Sequence, residues 1–142
     1  MPHICIVIAR FYNDIADELL RGAHAHLDAA KATYDTIEVP GAFEIPGAVR
    51  MAIASKKYAG YIALGCVIRG ETTHYDYVCS ESARGLNELA LQYSAPIGYG
   101  ILTVETPEQA WVRASVKEGN KGRDAAEACL RMIAIRTQME RP

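Results

Sequence analysis

Several common signatures of metal and cofactor chemistry are missing from this 142-residue chain. No Cys-x-x-Cys pair and no matching histidine spacing accompanies its four cysteines, which are Cys5, Cys66, Cys79 and Cys129. Neither a zinc site nor a redox motif is therefore indicated, and we expect reduced, buried thiols. Glycine-rich phosphate motifs are absent too: there is no Gly-x-Gly-x-x-Gly and no Walker lysine loop. The sequence thus predicts no metal, no dinucleotide and no nucleoside triphosphate.

The chain also lacks a strong charge of either sign and any long hydrophobic run. Its formal net charge is -2 at pH 7, which gives no general reason to bind nucleic acid or an anionic membrane. No apolar run approaches a transmembrane length, and the start Met-Pro-His-Ile lacks the regions of a signal peptide. We therefore expect a cytoplasmic protein that binds neither nucleic acid nor membranes.

Strands alternate with helices four times within what we expect to be a single domain over residues 1–142. Apolar runs predict strands over residues 3–9, 34–39, 58–68 and 96–102. Apolar residues at helical spacing predict helices over 14–30, from 45, from about 76 to 93, from 107, and over 123–140. The fold class is therefore α/β: a three-layer α/β/α sandwich with a central four-stranded parallel sheet, of flavodoxin-like type.

Helix features add detail to this prediction. Thr106-Pro107 with Gln109 is typical of a helix start, with Thr106 as N-cap and Gln109 completing a capping box. His24 and His26 lie off the apolar stripe of the first helix and are predicted at the surface. A row of small residues runs along the third helix, and it allows another element to approach, for which a neighbouring subunit is one candidate: Ser80, Ser82, Ala83 and Gly85.

The polar turn after the third strand concentrates the chemistry. An apolar run ends at Arg69-Gly70, and Thr72, Thr73 and His74 follow it. In an open α/β sheet this carboxyl edge is where ligands bind, and the N-terminus of the next helix suits a phosphate. The plain alternative is a solvated histidine behind a threonine cap. All four strand-end loops share that edge, and their candidate residues are Phe11, Phe43, Glu44, Arg69, Thr72 and His74, with Tyr99 nearby.

Five motifs occur in one order and at one spacing along the chain. They are Arg10-Phe11, the segment Pro40-Gly-Ala-Phe-Glu-Ile-Pro46, the segment Val67-Ile-Arg-Gly-Glu-Thr-Thr-His74, Gly100-Ile-Leu-Thr103, and Glu108-Gln-Ala110 through Asn120-Lys-Gly122. The chain resembles the lumazine synthase family over nearly its whole length. The resemblance implies condensation of 5-amino-6-(D-ribitylamino)uracil with 3,4-dihydroxy-2-butanone 4-phosphate to 6,7-dimethyl-8-ribityllumazine, a transferase step of riboflavin biosynthesis.

The resemblance also implies a role for each matching residue. Phe11 stacks on the pyrimidine, and Tyr99 forms a wall across a subunit boundary. Contacts to the uracil and the ribityl chain come from Ala42, Phe43, Glu44, Cys66, Val67 and Ile68. Phosphate lies on Glu71 and Thr72 and is held by Arg113 of a neighbour, with Lys121 near the same pocket and His74 as proton donor. No metal or organic cofactor is implied. Tyr12 departs from the family pattern, which commonly has Asn after the Phe.

Two other functions remain open at this point. One is a flavin- or lumazine-binding protein that keeps the fold without turnover, which would have no use for His74 and Arg113. The other is a sugar-phosphate isomerase, which would explain the phosphate loop but not Phe11 and Tyr99. The resemblance further implies a homo-oligomer, for which we favour a ring of five subunits over an icosahedral shell of sixty. A riboflavin synthase is a candidate partner.

Overall fold

Four parallel strands form the centre of the chain in this computed structural model, which describes residues 1–141. The strands are β1 His3–Ala9, β2 Thr33–Val39, β3 Gly60–Ile68 and β4 Ile97–Val104. The helices are α1 Asn13–Ala29, α2 Ile45–Ser55, α3 His74–Tyr93, α4 Pro107–Ala114 and α5 Lys121–Glu140, with a short 3-10 turn at Ala42–Glu44. Every predicted strand and helix is present, with boundaries shifted by a few residues.

Hydrogen bonding gives the sheet the order β2-β1-β3-β4, with all pairs parallel. One face buries an apolar layer that includes Leu19 of α1, Ala110 of α4 and Cys129 of α5. The opposite face buries a second layer that includes Val49 of α2 and Leu86 of α3. The predicted three-layer α/β/α sandwich is therefore confirmed, and the loops that follow the strands meet at one edge of the sheet.

Strand β2 is much less buried than the other three strands. Most of its side chains are exposed, and Ile37 keeps 38% of its surface. The reason is its place at the margin of the sheet, where β1 is its hydrogen-bonding neighbour among residues 1–141. At the other margin, β4 is the neighbour of β3 alone within the same residues. Both margins present backbone groups that another chain could pair with.

Helix α5 approaches β4 at backbone distance because β4 carries glycines. A Cβ placed on Gly98 would lie 1.9 Å from the carbonyl oxygen of Ala125, and one on Gly100 would lie 3.0 Å from the Ala125 Cβ. A larger residue at Gly98 would therefore push α5 away from the sheet. Since side chains alternate along a strand, Tyr99 points to the opposite face, toward α3.

The row of small residues on α3 packs mainly within its own chain. Ser82 is fully buried, and a Cβ on Gly85 lies 2.9 Å from the Pro46 ring of α2. Ser80 and Ala83 are exposed. Close approach was correctly predicted for Ser82 and Gly85, and at Gly85 the approaching element is α2, which packs beside α3 on the same face of the sheet.

His24 lies in a different environment from the one predicted. Its ring is half-buried and stacks on Tyr34 with ring centroids 4.7 Å apart. Its Nε2 is buried and has no hydrogen-bond partner within residues 1–141, and burial lowers the pKa of the imidazole. The surface assignment of His24 was therefore wrong, because a ring off the apolar stripe of α1 can still cover the neighbouring strand.

The start of α4 has the predicted cap with one difference. The Gln109 backbone N–H donates to Thr106 Oγ1 at 3.2 Å, as a Thr N-cap requires. The Gln109 side chain instead accepts from the backbone N–H of Glu105, one residue before the cap, at 2.8 Å.

Within the described part of the chain, no helix is long and apolar enough to cross a membrane.

Candidate active site

A cavity of about 660 Å³ opens at the carboxyl edge of the sheet. It lies between the loops that follow β1, β2 and β3 and the first turns of α3. Its lining includes nine of the predicted site residues: Phe11, Ala42, Phe43, Glu44, Cys66, Val67, Ile68, Thr72 and His74. Residues from four separate segments therefore converge on one space, as the parallel topology predicts.

Aromatic rings stand at the cavity mouth with large exposed surfaces. Phe11 keeps 72% of its surface and Phe43 keeps 56%. Phe11 precedes α1 and touches the ring of Tyr12 edge to face, with centroids 5.0 Å apart and an interplanar angle of 76°. Exposed rings of this size at the edge of a cavity offer faces on which a flat aromatic ligand can stack.

The floor of the cavity is apolar and comes from the end of β3. Cys66 is buried, while Val67 and Ile68 are half-buried. Burial raises the pKa of the Cys66 thiol to about 11, and the nearby Cys79 adds to the shift. The thiol is therefore protonated at neutral pH, which makes Cys66 a wall residue and a poor nucleophile.

The polar side of the cavity is the turn that leads into α3. Thr72 Oγ1 accepts a hydrogen bond from the backbone N–H of His74 at 3.3 Å. The His74 side chain is exposed, and its ring makes no hydrogen bond or ion pair within residues 1–141. The N-terminus of α3 adds its partial positive charge at the same place. An anion and a proton-transfer group can therefore meet at this turn.

Arg69 supports the turn through contacts with its own chain. Its guanidinium is 2.9 Å from Glu105 and 3.3 Å from Asp76, and it lies over the ring of Tyr75 at 4.3 Å. Its backbone N–H also donates to the carbonyl of Val104 at 2.9 Å. The cation that the sequence placed in the loop is thus already paired, and it ties the ends of β3 and β4 to the first turn of α3.

Besides Arg69, four residues to which the resemblance gives a role do not line this cavity. Glu71 is exposed in the turn beside it. Tyr99 lies in the middle of β4, in register with Ala63, with its pKa raised by burial. Arg113 donates to the Gln109 carbonyl at 3.0 Å in the last turn of α4, and Lys121 pairs with Asp124 at 3.5 Å at the start of α5.

The loop between Arg113 and Lys121 is held by a buried carboxylate. Glu18 of α1 is 7% exposed, accepts from the backbone N–H of Val116 at 3.2 Å, and pairs with Arg21 at 2.8 Å. Because a buried carboxylate needs such partners, this contact fixes the loop against α1. Arg113 and Lys121 lie at the two ends of this loop and are exposed.

Sequence reasoning did not assign some lining residues to a site: Tyr12, Pro40, Gly41, Gly70, Tyr75 and Val78. Tyr75 and Val78 are three residues apart on α3, so they share a helix face. Tyr12 adjoins Phe11 in the chain. Helix phase from His74 would have found Val78, which lies four residues further along α3. Within residues 1–141, no cluster of three or more His, Cys, Asp or Glu side chains could hold a metal ion.

Comparisons with known proteins match one family over nearly the whole chain. The family model described as 6,7-dimethyl-8-ribityllumazine synthase matches residues 1–137. The chain is 54% identical to a protein named 6,7-dimethyl-8-ribityllumazine synthase 1 from Rhizobium meliloti, over 96% of this chain and 93% of the relative. A protein named 6,7-dimethyl-8-ribityllumazine synthase from Bartonella tribocorum is 55% identical over 95% of this chain and 90% of the relative. One from Agrobacterium fabrum is 52% identical over 97% of each.

Proposed function

This chain belongs to the 6,7-dimethyl-8-ribityllumazine synthase family, and from this membership we propose that the cavity beside Phe11 is its active site. The protein is a transferase of riboflavin biosynthesis, and it forms the lumazine in the penultimate step. Family membership favours this enzyme over a non-catalytic flavin- or lumazine-binding protein. What supports the site is the convergence of Phe11, the segment 42–44, the segment 66–68 and the turn 72–74 on one cavity.

The pyrimidine of 5-amino-6-(D-ribitylamino)uracil stacks on Phe11 in this proposal. Phe43, Ala42 and Glu44 bound one side of the cavity, and the end of β3 bounds the floor. Glu44 is a carboxylate that can accept hydrogen bonds from ribityl hydroxyls or ring N–H groups. An open cavity of this volume with apolar walls and few polar groups is typical of a small-molecule site.

Phosphate of 3,4-dihydroxy-2-butanone 4-phosphate binds at the N-terminus of α3, beside Glu71 and Thr72. Backbone N–H groups and the helix dipole stabilise an anion there. Arg113 contributes the bidentate contact that neutralises phosphate as it leaves. Since Arg113 does not reach the cavity of its own chain, we assign this contact to a neighbouring subunit, along with Tyr99 and Lys121.

His74 moves the protons of the condensation. The substrate's amine forms a Schiff base with the ketone and releases water, phosphate is then eliminated, and the ribityl-bearing nitrogen closes the ring with loss of a second water. Each step shifts a proton near neutral pH, where imidazole works best. The free ring of His74 beside the phosphate turn suits this role, and no nucleophile from the protein is needed because the substrate supplies its own.

Lumazine synthases are oligomeric enzymes with small-molecule substrates, and we favour a closed ring of five subunits for this chain. Several surfaces of the single chain support an extended contact: the open margins of β2 and β4, and exposed apolar residues of α5 such as Met132 and Ile135. Light scattering tests this, because a mass near five chains supports the ring and a mass near sixty supports the shell. We also propose that the protein is cytoplasmic and that it contacts riboflavin synthase.

Formation of lumazine from the two substrates tests the function directly. Adding both substrates to the purified chain should produce lumazine absorbance and fluorescence, and omitting either one should abolish it. A protein that binds lumazine without forming it would restore the binding-protein alternative. An isomerase would act on a sugar phosphate and ignore the pyrimidine.

Mixing two variants of low activity tests the shared site. His74→Ala and Arg113→Ala subunits refolded together should regain activity, because one neighbour supplies His74 and the other Arg113. With random mixing in a closed ring, about a quarter of the sites would carry both residues. If each chain completes its own site, the mixture stays as inactive as its components.

A further inference from the structure

Tyr12 lies between two cavities of the molecule. It lines the active-site cavity, and it also lines a neighbouring groove of about 680 Å³ under α4, whose walls include Asp14, Glu108 and Trp111. Ile68 is the other residue common to both. Removing the Tyr12 ring would therefore join the two spaces and enlarge the region around Phe11.

The two adjacent rings differ in how firmly they are held. Tyr12 is the N-cap of α1, and its carbonyl accepts from the backbone N–H of Ala16 at 2.9 Å. Its half-buried ring packs against the apolar layer under α1. Phe11 is 72% exposed, and Tyr12 is its aromatic neighbour within residues 1–141. The fixed ring thus supports the free one through an edge-to-face contact of 5.0 Å.

We propose that Tyr12 is a positioning residue for the pyrimidine site: its ring holds Phe11 in the stacking orientation and separates the site from the groove under α4. The inference rests on the proposed function, because it requires Phe11 to stack on the substrate. A ring held in place before binding loses less freedom when the ligand arrives, so affinity rises. The phosphate is assigned to the turn that leads into α3 and not to Phe11, so use of the butanone phosphate should not change.

Steady-state kinetics on three variants test this inference. Tyr12→Leu keeps an apolar side chain but loses the ring, and it should raise KM for the ribityl pyrimidine about threefold to tenfold. KM for the butanone phosphate should stay within about twofold, and so should kcat. Tyr12→Phe keeps the ring edge and should behave like the wild type. Tyr34→Leu, at the start of β2 and away from the cavity, is the matched control for loss of a half-buried tyrosine.

Each outcome separates this inference from the proposed function. If Phe11→Ala raises KM for the pyrimidine while Tyr12→Leu does not, the supporting role of Tyr12 is wrong and the site stands. If neither variant changes it, the cavity is not the pyrimidine site. If Tyr12→Phe loses as much as Tyr12→Leu, the hydroxyl and not the ring matters, which also overturns the inference. Should Tyr12→Leu fail to fold, Tyr12→Met and Tyr12→Phe give the same comparison.

Discussion

The two ends of the sheet carry the same kinds of side chain in opposite states. At the amino end, both ring nitrogens of His3 have partners, with Thr33 Oγ1 at 2.7 Å and Asp35 Oδ2 at 3.2 Å. The Tyr58 hydroxyl donates to the same carboxylate oxygen at 2.8 Å, and its ring stacks on His3. At the carboxyl end, the ring of His74 has no such partner within residues 1–141. A histidine whose bonds are made stabilises the fold, whereas one with free nitrogens can serve a ligand.

Aromatic residues show the same contrast. Tyr58 and Tyr61 touch at the amino end, with Tyr61 buried, while Phe11 and Phe43 project at the carboxyl end. The two phenylalanine rings at the carboxyl end therefore remain largely exposed. Exposed apolar surface of this kind marks a binding region when it borders a cavity. The difference between the two ends can therefore be tested by changing equivalent residues at each.

The largest effect should come from Arg113. Arg113→Ala should lower kcat/KM for the butanone phosphate by about 30-fold to 1000-fold, since a lost charged contact to a leaving phosphate costs about 2–4 kcal/mol. Binding of the ribityl pyrimidine should change much less. Arg136→Ala is the control, because Arg136 donates to the Ser94 carbonyl at the amino end of β4. A near wild-type kcat/KM in the Arg113 variant would remove it from the phosphate site.

Replacing His74 should have the second largest effect on activity. His74→Ala should slow turnover about tenfold to a thousandfold, because general acid–base catalysis is often worth 10²-fold to 10⁴-fold and water can replace part of it. Thermal stability should stay near that of the wild type, since the ring makes no hydrogen bond within residues 1–141. Unchanged turnover across neutral pH would contradict a proton-transfer role.

The sequence predicted some features of the carboxyl end of the sheet and could not predict others. Motif order and strand periodicity correctly placed Phe11, Phe43 and His74 at one edge, because parallel strands must end together. The residues next to Arg69 in the sequence could not predict that it forms ion pairs with Glu105 and Asp76, since Glu105 follows another strand. The resemblance, in contrast, already assigned Tyr99 and Arg113 to a neighbouring subunit, and neither residue lines the cavity of its own chain.

The packing partners of two helix residues were also out of reach of the sequence. His24 was assigned to the surface from helix phase alone, but a flat ring can lie sideways on Tyr34 and become half-buried. Close approach at Gly85 was predicted with a neighbouring subunit as one candidate, and the approaching group is the Pro46 ring of the same chain. Both cases concern which element packs on a given face, and that depends on contacts between residues distant in sequence.

A smaller effect, on stability alone, is expected at the amino end. His3→Ala removes two hydrogen bonds and a stacking contact, and should cost about 1–2 kcal/mol of the free energy of unfolding because these groups are partly exposed. The melting temperature should fall by about 3–6 °C, while turnover of the intact enzyme stays within about twofold. Loss of activity without loss of stability would break the distinction between the two histidines.

The smallest effect is a pH dependence of stability. The Tyr58 hydroxyl, and after it His3, hold the pKa of Asp35 below its usual value. A carboxyl with a lowered pKa stabilises the fold above its ordinary pKa near 4, and this contribution is lost as pH falls through the lowered value. Asp35→Asn should therefore flatten the fall in melting temperature between about pH 5 and pH 2.5.

Tyr58→Phe is the companion variant for that measurement. It removes the main cause of the shift, so its acid sensitivity should lie between those of the wild type and Asp35→Asn. Hydrogen bonding to Asp35 raises the pKa of Tyr58 to about 12, so the wild type should lose stability as pH rises from about 10 toward 12. Tyr58→Phe should not show this loss. Identical acid profiles for the wild type and Asp35→Asn would show that Asp35 does not contribute.

The strand order β2-β1-β3-β4 also has a consequence for how the chain is made. β1 leaves the ribosome first, yet it lies inside the sheet and is paired on both sides only after β3, residues 60–68, has been synthesised. Every pairing in this sheet is parallel and waits for a crossover helix, so no hairpin can form early. Such non-local pairing slows folding compared with helical bundles of similar length. The apolar first strand therefore spends the longest time unpaired, and it is the segment from which aggregation during synthesis would start.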